Sequence, residues 1–144
     1  MHAKIRIIKK ELAEDNLSVL FDIGIIEKTM PAEFSLEEPG LSIENYNALL
    51  QKGEETLEIL YYKNEIERIK EEISIEITES AYEGDFRTEE YANLVKDLFV
   101  SGFHFFEEDI IIVFMAPEIF SNNTINVQLD YLLEIQDLSI EWWS

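Results

Sequence analysis

The sequence predicts an α+β fold, a mostly antiparallel sheet of five or six strands with two principal helices packed on it. Several short segments alternate apolar and polar residues, as half-buried strands do. Residues 88–99 instead place apolar side chains at helical spacing, and the run from Ile110 to Met115 is apolar throughout. The chain has 144 residues and is 47% apolar, so residues 1–144 are expected to form one domain.

The first half of the chain predicts a hairpin, a loop and a helix. Residues 4–10 (KIRIIKK) and 18–27 (SVLFDIGIIE) are interpreted as strands, because both alternate and turn-forming residues separate them. The stretch 31–40 (PAEFSLEEPG) contains two prolines and a glycine, which favours a loop. Ser42 can cap the next helix, which is expected to reach about residue 63 with Gly53 on its packed face. Gly53 could equally divide this segment into two helices.

The second half predicts further strands and one clear helix. Residues 64–72 fit either a helix or a strand, whereas 73–79 (ISIEITE) alternates and predicts a half-buried strand. Thr88 can cap a helix that Gly102 can end. The run Ile110–Met115 is expected to form a central strand covered on both sides, because both of its faces are apolar.

The last segments, 124–130 (TINVQLD) and 132–143, also alternate. Within 132–143 the apolar phase shifts once, which predicts a bulge or a turn near Gln136 and Asp137. After this shift Trp142 falls on the core face, so Trp143 is expected to point to the opposite face. There it is a candidate binding anchor, and the alternative is that it covers the sheet edge, packs on a helix or frays at the terminus. Leu138 and Ile140 share the face of Trp142, and Ser139 and Glu141 share the face of Trp143.

Charge is the least ordinary property of the sequence. The chain has 11 basic and 31 acidic residues, a formal net charge of -20. Residues 1–72 contain 9 basic and 16 acidic side chains, whereas residues 73–144 contain only Arg87 and Lys96 against 15 acids. Such a field repels nucleic acid and anionic membranes and attracts cationic partners. Acidic surfaces also favour solubility without any partner, so this second interpretation stays open.

Few residues favour catalysis, and neither a cofactor nor a metal is predicted. The chain lacks cysteine, a phosphate-binding loop and clustered glycines, which argues against thiol chemistry and nucleotide binding. His104, one of two histidines, is followed by Glu107, Glu108 and Asp109. These side chains could serve acid-base chemistry or hold a divalent ion if the backbone brought them together. The protein is expected not to be an enzyme. The alternative is an acid-base or metal site formed by His104 and the acidic residues after it.

The sequence contains no targeting or membrane-spanning pattern. Its start, MHAKIRIIKK, lacks the apolar core of a signal peptide. The longest apolar run, residues 110–116, is far shorter than the roughly 20 residues that cross a bilayer. A cytoplasmic protein is therefore expected, and the absence of cysteine suits a reducing compartment.

These properties favour an acidic protein-binding inhibitor, an immunity-type protein that neutralises a basic toxin or nuclease by occupying its cationic surface. The expected partner is a basic protein rather than nucleic acid or a membrane, and a homodimer is left open. The alternatives are a DNA-mimic inhibitor of a host defence or restriction enzyme, and a small regulatory or ligand-binding domain whose acidity is incidental. The residues assigned to the partner-binding surface are Trp143, Glu141, Asp137, Glu134, Asp130, Glu76, Glu79, Glu83, Asp85, Glu89 and Glu90.

Overall fold

The computed structural model describes residues 5–38, 42–81 and 88–142. Within these ranges, seven strands form one sheet and three α-helices lie between the third and fourth strands. The strands are β1 (Ile5–Leu12), β2 (Leu17–Ile23), β3 (Lys28–Phe34), β4 (Phe99–Phe105), β5 (Asp109–Ala116), β6 (Phe120–Asp130) and β7 (Ile135–Trp142), and the helices are α1 (Asn47–Tyr62), α2 (Glu65–Ala81) and α3 (Thr88–Asp97). The predicted α+β class is confirmed, although the strand count is higher than five or six.

The strands follow one another across the sheet in chain order. All neighbouring pairs are antiparallel except β3 and β4, which pair in parallel over Ala32–Phe34 and Phe103–Phe105. A parallel pair needs a long crossover, and the three helices supply it. The predicted hairpin of β1 and β2 is confirmed, with the N–H of Ala13 donating to the carbonyl of Asn16 at 2.8 Å. Its second strand was predicted to reach residue 27, but β2 ends at Ile23 and a 3₁₀ turn follows. None of the described helices is long and apolar enough to cross a membrane.

The sheet has a helix-covered face, which holds the core, and an open face on which no described helix packs. In β5 the side chains of Ile110, Ile112 and Phe114 are buried on the first face, whereas the intervening Ile111 and Val113 are only half-buried on the second. The prediction of a strand covered on both sides is therefore wrong. Apolar residues on the open face shield one another across neighbouring strands, which explains their partial burial without a second helical layer.

Helix α1 approaches the sheet closely at Gly53, as predicted. A Cβ added to Gly53 would lie 2.6 Å from Phe34 Cε1, closer than real Cβ atoms come to a neighbour. The Phe34 ring is fully buried and stacks on Phe105 with centroids 4.9 Å apart. Glycine therefore lets the helix backbone rest directly on these two rings. Ser42 caps a short 3₁₀ turn that leads into α1, and its N–H donates to Asn45 Oδ1 at 3.0 Å.

The segment 31–40, predicted as a loop, instead begins inside β3. Met30, Ala32 and Phe34 alternate with exposed residues and point into the core. Pro31 is tolerated because the parallel pairing of β3 with β4 starts only at Ala32, so a missing N–H at Pro31 breaks no bond of that ladder. The alternation of apolar and polar residues is therefore the better guide up to Phe34, despite Pro31.

The predicted strand 73–79 is wrong, because these residues belong to α2. Ile66, Ile69, Ile73 and Ile77 are buried at helical spacing, while Ile75 is 39% exposed. An Ile-x-Ile-x-Ile pattern fits both a strand and part of a helical stripe, and the upstream Ile66 and Ile69 decide between them.

Helix α3 is confirmed, but it ends at Asp97 rather than at Gly102. The Asp97 carboxylate accepts hydrogen bonds from the N–H groups of Glu118 and Ile119, at 3.0 and 2.9 Å, which ties the end of the helix to the β5–β6 turn. Gly102 lies inside β4.

The predicted bulge before the last strand is confirmed. Leu129 pairs with Ile135 and Gln128 pairs with Asp137, so Gln136 is the extra residue of β7. Beyond the bulge, Leu138 and Ile140 pair with Val127 and Ile125 on the helix-covered face, and Ser139 and Glu141 lie on the open face, as predicted. Trp142 pairs with Asn123 through its backbone, and Trp143 lies outside the described residues.

Candidate functional site

Strand β7 forms one edge of the sheet. Among the described strands it pairs only with β6, so its outer backbone N–H and C=O groups have no strand partner there. An exposed edge of this kind is a template for pairing with another chain. The opposite edge of the sheet is β1, six strand steps away, or about 29 Å at the usual strand spacing.

Acidic side chains flank the β7 edge from both faces of the sheet. On the open face, Asp137 and Glu141 are exposed. The Glu141 carboxylate accepts a hydrogen bond of 2.5 Å from Asn126 Nδ2, which fixes its position over β6. On the helix-covered face, Glu76 of α2 lines the same pocket as Leu138 and Ile140 of β7. These carboxylates were predicted to form one surface, but they lie in two groups, one on each face of the sheet at this edge.

An apolar groove runs along the helix-covered side of this edge, between α2, α3 and the strands β6 and β7. It consists of two adjoining pockets of about 500 and 220 Å³ that share Ile77, Ala81 and Phe120. Ile140 and Ile119, at its two ends, are 40% and 45% exposed. We call this feature the α2–β7 groove; its acidic lining residues are Glu76 and Glu90. The groove combines accessible apolar surface with carboxylates, as protein-binding surfaces often do.

No cation compensates these carboxylates within the described ranges. The ion pairs join Arg6 to Asp22, Lys9 to Glu11, Arg68 to Glu65 and Glu72, and Lys70 to Glu67. None of these pairs involves a residue of the groove or of β7. Strands β4 to β7 contain no lysine or arginine at all. In the described part of the chain, no ion pair therefore neutralises the carboxylates of the groove or of β7.

The structure brings together only part of the predicted surface. Glu76 and Glu90 line the groove, and Asp137 and Glu141 lie on the other side of the edge. Glu83 and Asp85 lie outside the described residues, as Trp143 does. The remaining acids are exposed and lie on α2 (Glu79), on α3 (Glu89) and in the β6–β7 turn (Glu134).

Asp130, also assigned to the partner-binding surface, has an internal role. Its carboxylate accepts hydrogen bonds from the N–H groups of Leu132 and Glu134, each at 3.0 Å, and from Gln136 Nε2 at 3.1 Å. These bonds hold a tight turn in which the buried Leu133 has a φ of 66°, a left-handed conformation that is unfavourable for leucine. Asp130 thus positions the start of β7.

Asp130→Ala is expected to lower the free energy of unfolding by about 1–3 kcal/mol, because three hydrogen bonds to a carboxylate are lost and these bonds offset the unfavourable conformation of Leu133. Urea denaturation followed by circular dichroism measures this loss. Glu134→Ala is the matched control in the same turn, and its side chain is exposed. Equal stability of the Asp130→Ala variant and the wild type would contradict the structural role.

His104 lies on the open face of β4, away from the β7 edge. A hydrogen bond of 2.8 Å joins its Nε2 to Ser35 Oγ, and its ring stacks on Phe106 with centroids 4.1 Å apart. Burial lowers the pKa of His104, and the carboxylates of Glu33 and Asp109 oppose this shift without cancelling it. The imidazole is therefore neutral near pH 7. The sequence did not point to Ser35, because its contact with His104 depends on the parallel pairing of β3 and β4.

The acid cluster predicted next to His104 does not close around it. Glu107 and Glu108 are exposed in the β4–β5 turn, and the Asp109 carboxylate accepts a hydrogen bond from Gln128 Nε2 at 2.7 Å. In the described part of the chain, no group of three histidine or acidic side chains is arranged to hold a metal ion. A serine hydroxyl next to an imidazole can act as a nucleophile and base, but that chemistry also needs a group that orients the imidazole.

Acidification is expected to destabilise the protein through His104. In the unfolded chain its imidazole gains a proton at about pH 6.5, whereas burial lowers the pKa in the folded protein. Stability associated with neutral His104 is therefore present above that pH and is lost as the pH falls through the folded pKa. Urea denaturation of the wild type and of His104→Gln between about pH 7.5 and 5 should show a loss that is larger in the wild type. A constant difference between the two proteins would contradict this assignment.

No family model matches the chain, and no curated protein or solved structure is significantly similar to it. Residue chemistry and geometry are thus the basis for a functional assignment.

Proposed function

We propose that the protein is an acidic protein-binding inhibitor of the immunity type, which neutralises a basic toxin or nuclease by occupying its cationic surface. The observation that supports this function best is the exposed apolar α2–β7 groove, next to carboxylates that form no ion pair within the described residues. An apolar floor provides surface to bury, and the carboxylates provide attraction and specificity.

Each component contributes a different part of the binding. A net charge of -20 steers a basic partner toward the protein and raises the association rate. Apolar contacts in the groove, at Ile140 and Phe120 for example, slow dissociation once the partner is bound. Single exposed isoleucines are common on protein surfaces, but Ile140 and Ile119 line a continuous groove, which is the feature that favours binding.

The DNA-mimic alternative fits this surface less well. A mimic needs carboxylates spaced like phosphates along one face, whereas Asp137 and Glu141 lie on the open face and Glu76 and Glu90 lie on the other. Apolar grooves have no counterpart in the phosphate backbone of DNA. The groove and its carboxylates fit better a basic protein that also has an exposed apolar surface.

The contact between Ser35 and His104 favours a second candidate function, acid-base or nucleophilic chemistry on the open face. An enzyme of this kind should lose activity on His104→Ala and be unaffected by changes in the α2–β7 groove. An inhibitor should show the opposite dependence. The two functions are therefore separable with one variant of each region.

Capture of the partner tests the proposed function. The purified protein is immobilised, exposed to lysate of its source organism and eluted in steps of rising salt, and the released proteins are identified by mass spectrometry. A basic protein released at high salt is expected, because the contacts are charged. The captured protein is then assayed alone and with one equivalent of the inhibitor. Full activity in the presence of the inhibitor would contradict the proposal.

A further inference from the structure

We infer that the partner contributes an extended segment, with alternating basic and apolar side chains, that pairs as a strand with the outer edge of β7. This inference rests on the proposed function and specifies how the partner binds. Addition of a strand to an exposed edge is a common mode of protein recognition, in which backbone hydrogen bonds supply affinity and alternate side chains supply specificity.

The two edges of the sheet differ in how well they resist such pairing. Edge strand β1 has a register shift between Ile7 and Lys9, and the exposed Lys9 and Lys10 follow it. Bulges and lysines are the features by which natural sheets discourage edge pairing. In β7, residues 137–142 pair with β6 in unbroken register and include no lysine or proline. The edge without these features is therefore β7, which is also the acidic edge.

The side chains that flank β7 define the chemistry of an added strand. On the open face it would lie next to Asp137 and Glu141, at the distance of about 5 Å typical of directly opposed residues. On the helix-covered face it would lie next to Leu138 and Ile140 and enter the α2–β7 groove. Basic residues therefore match the open face, and apolar residues match the groove. Because Asp137 and Glu141 are four positions apart, the basic residues of the partner are expected at the same spacing.

A second copy of this chain fits the edge poorly, although β1 contains basic residues. Arg6 and Lys9 oppose Asp22 and Leu20 of β2, so they are only two register positions apart because of the bulge between them. Asp137 and Glu141 of β7 are four apart. Two copies also repel each other, since each has a net charge of -20. A partner of opposite charge is thus favoured over self-association.

A synthetic peptide tests this inference without altering the protein. The probe is an acetylated, amidated peptide with Lys-Ile-Thr-Ile-Lys at its centre, and the readouts are NMR titration and hydrogen exchange. Exchange at alternate amides of β7 is expected to slow at least tenfold when the peptide binds. N-methylation of one alternating set of peptide amides should abolish binding, and methylation of the other set should preserve it, since only one set faces β7. The peptide Glu-Ile-Thr-Ile-Glu should not bind.

The outcomes separate this inference from the proposed function. Equal binding of both N-methylated peptides, or no protection of β7 amides, would overturn strand addition even if a captured partner is still inhibited. Protection of β7 by the peptide, together with a captured partner that stays fully active, would support strand addition and contradict the inhibitor. Sedimentation that shows self-association displaced by the peptide would assign the edge to a second copy and overturn the inference.

Discussion

Phe34→Ala is expected to lower the free energy of unfolding by about 3–5 kcal/mol, the range for truncation of a fully buried phenylalanine. The ring of Phe34 stacks on Phe105 at 4.9 Å and lies 6.1 Å from the ring of Phe21. It also fills the space above Gly53, so its loss leaves a cavity between α1 and the sheet. Guanidinium denaturation followed by circular dichroism measures the change.

A matched control and a double mutant test the same packing. Thr29→Ala, in the same strand, changes an exposed side chain and should stay within about 0.5 kcal/mol of the wild type. Gly53→Ala places a methyl group against the Phe34 ring and should destabilise the wild type, while Phe34→Leu relieves the contact. The two substitutions should therefore couple favourably by about 0.5–3 kcal/mol. A loss below about 1 kcal/mol on Phe34→Ala would contradict its place in the core.

Phe34 also shows where sequence patterns mislead. The alternation of Met30, Ala32 and Phe34 marks a strand, but Pro31 and the residues after Phe34 suggest a loop, and local patterns cannot decide between the two. The structure decides through long-range packing, because Phe34 lies between a helix and two other strands. Local patterns mislead in α2 for the same reason. The alternating isoleucines of residues 73–79 fit a strand, and only the longer series of buried isoleucines that starts at Ile66 identifies a helix.

The candidate surface shows a similar division. Alternation correctly placed Leu138 and Ile140 on one face of β7 and Ser139 and Glu141 on the other, because side-chain direction in a strand is a local property. The order of strands in the sheet cannot be predicted from a local pattern. This order makes β7 an edge strand, and the packing of α2 on the sheet places Glu76 in one groove with residues of β7. The contact of Ser35 with His104 has the same origin, since it spans 69 positions.

Reversal of charge at the β7 edge is expected to weaken binding of the captured partner by at least about 100-fold. The variant is Asp137→Lys with Glu141→Lys, and both residues are exposed and lie in register with the positions proposed for basic residues of the partner. Close charge pairs at a protein interface contribute about 1.5 kcal/mol or more each, and every 1.4 kcal/mol is about tenfold in affinity. Titration calorimetry or surface plasmon resonance at several salt concentrations measures the loss.

The control for this variant is Glu14→Lys with Asp15→Lys, in the turn between β1 and β2 at the far end of the sheet. Both double variants change the net charge equally, and all four positions are exposed. Net charge acts at long range and mainly on the association rate, so the control should bind somewhat more slowly and dissociate at the wild-type rate. The β7 variant should dissociate faster as well, because it loses contacts that exist only in the complex. Equal effects of the two variants on both rates would mean that overall acidity, and not the β7 edge, accounts for binding.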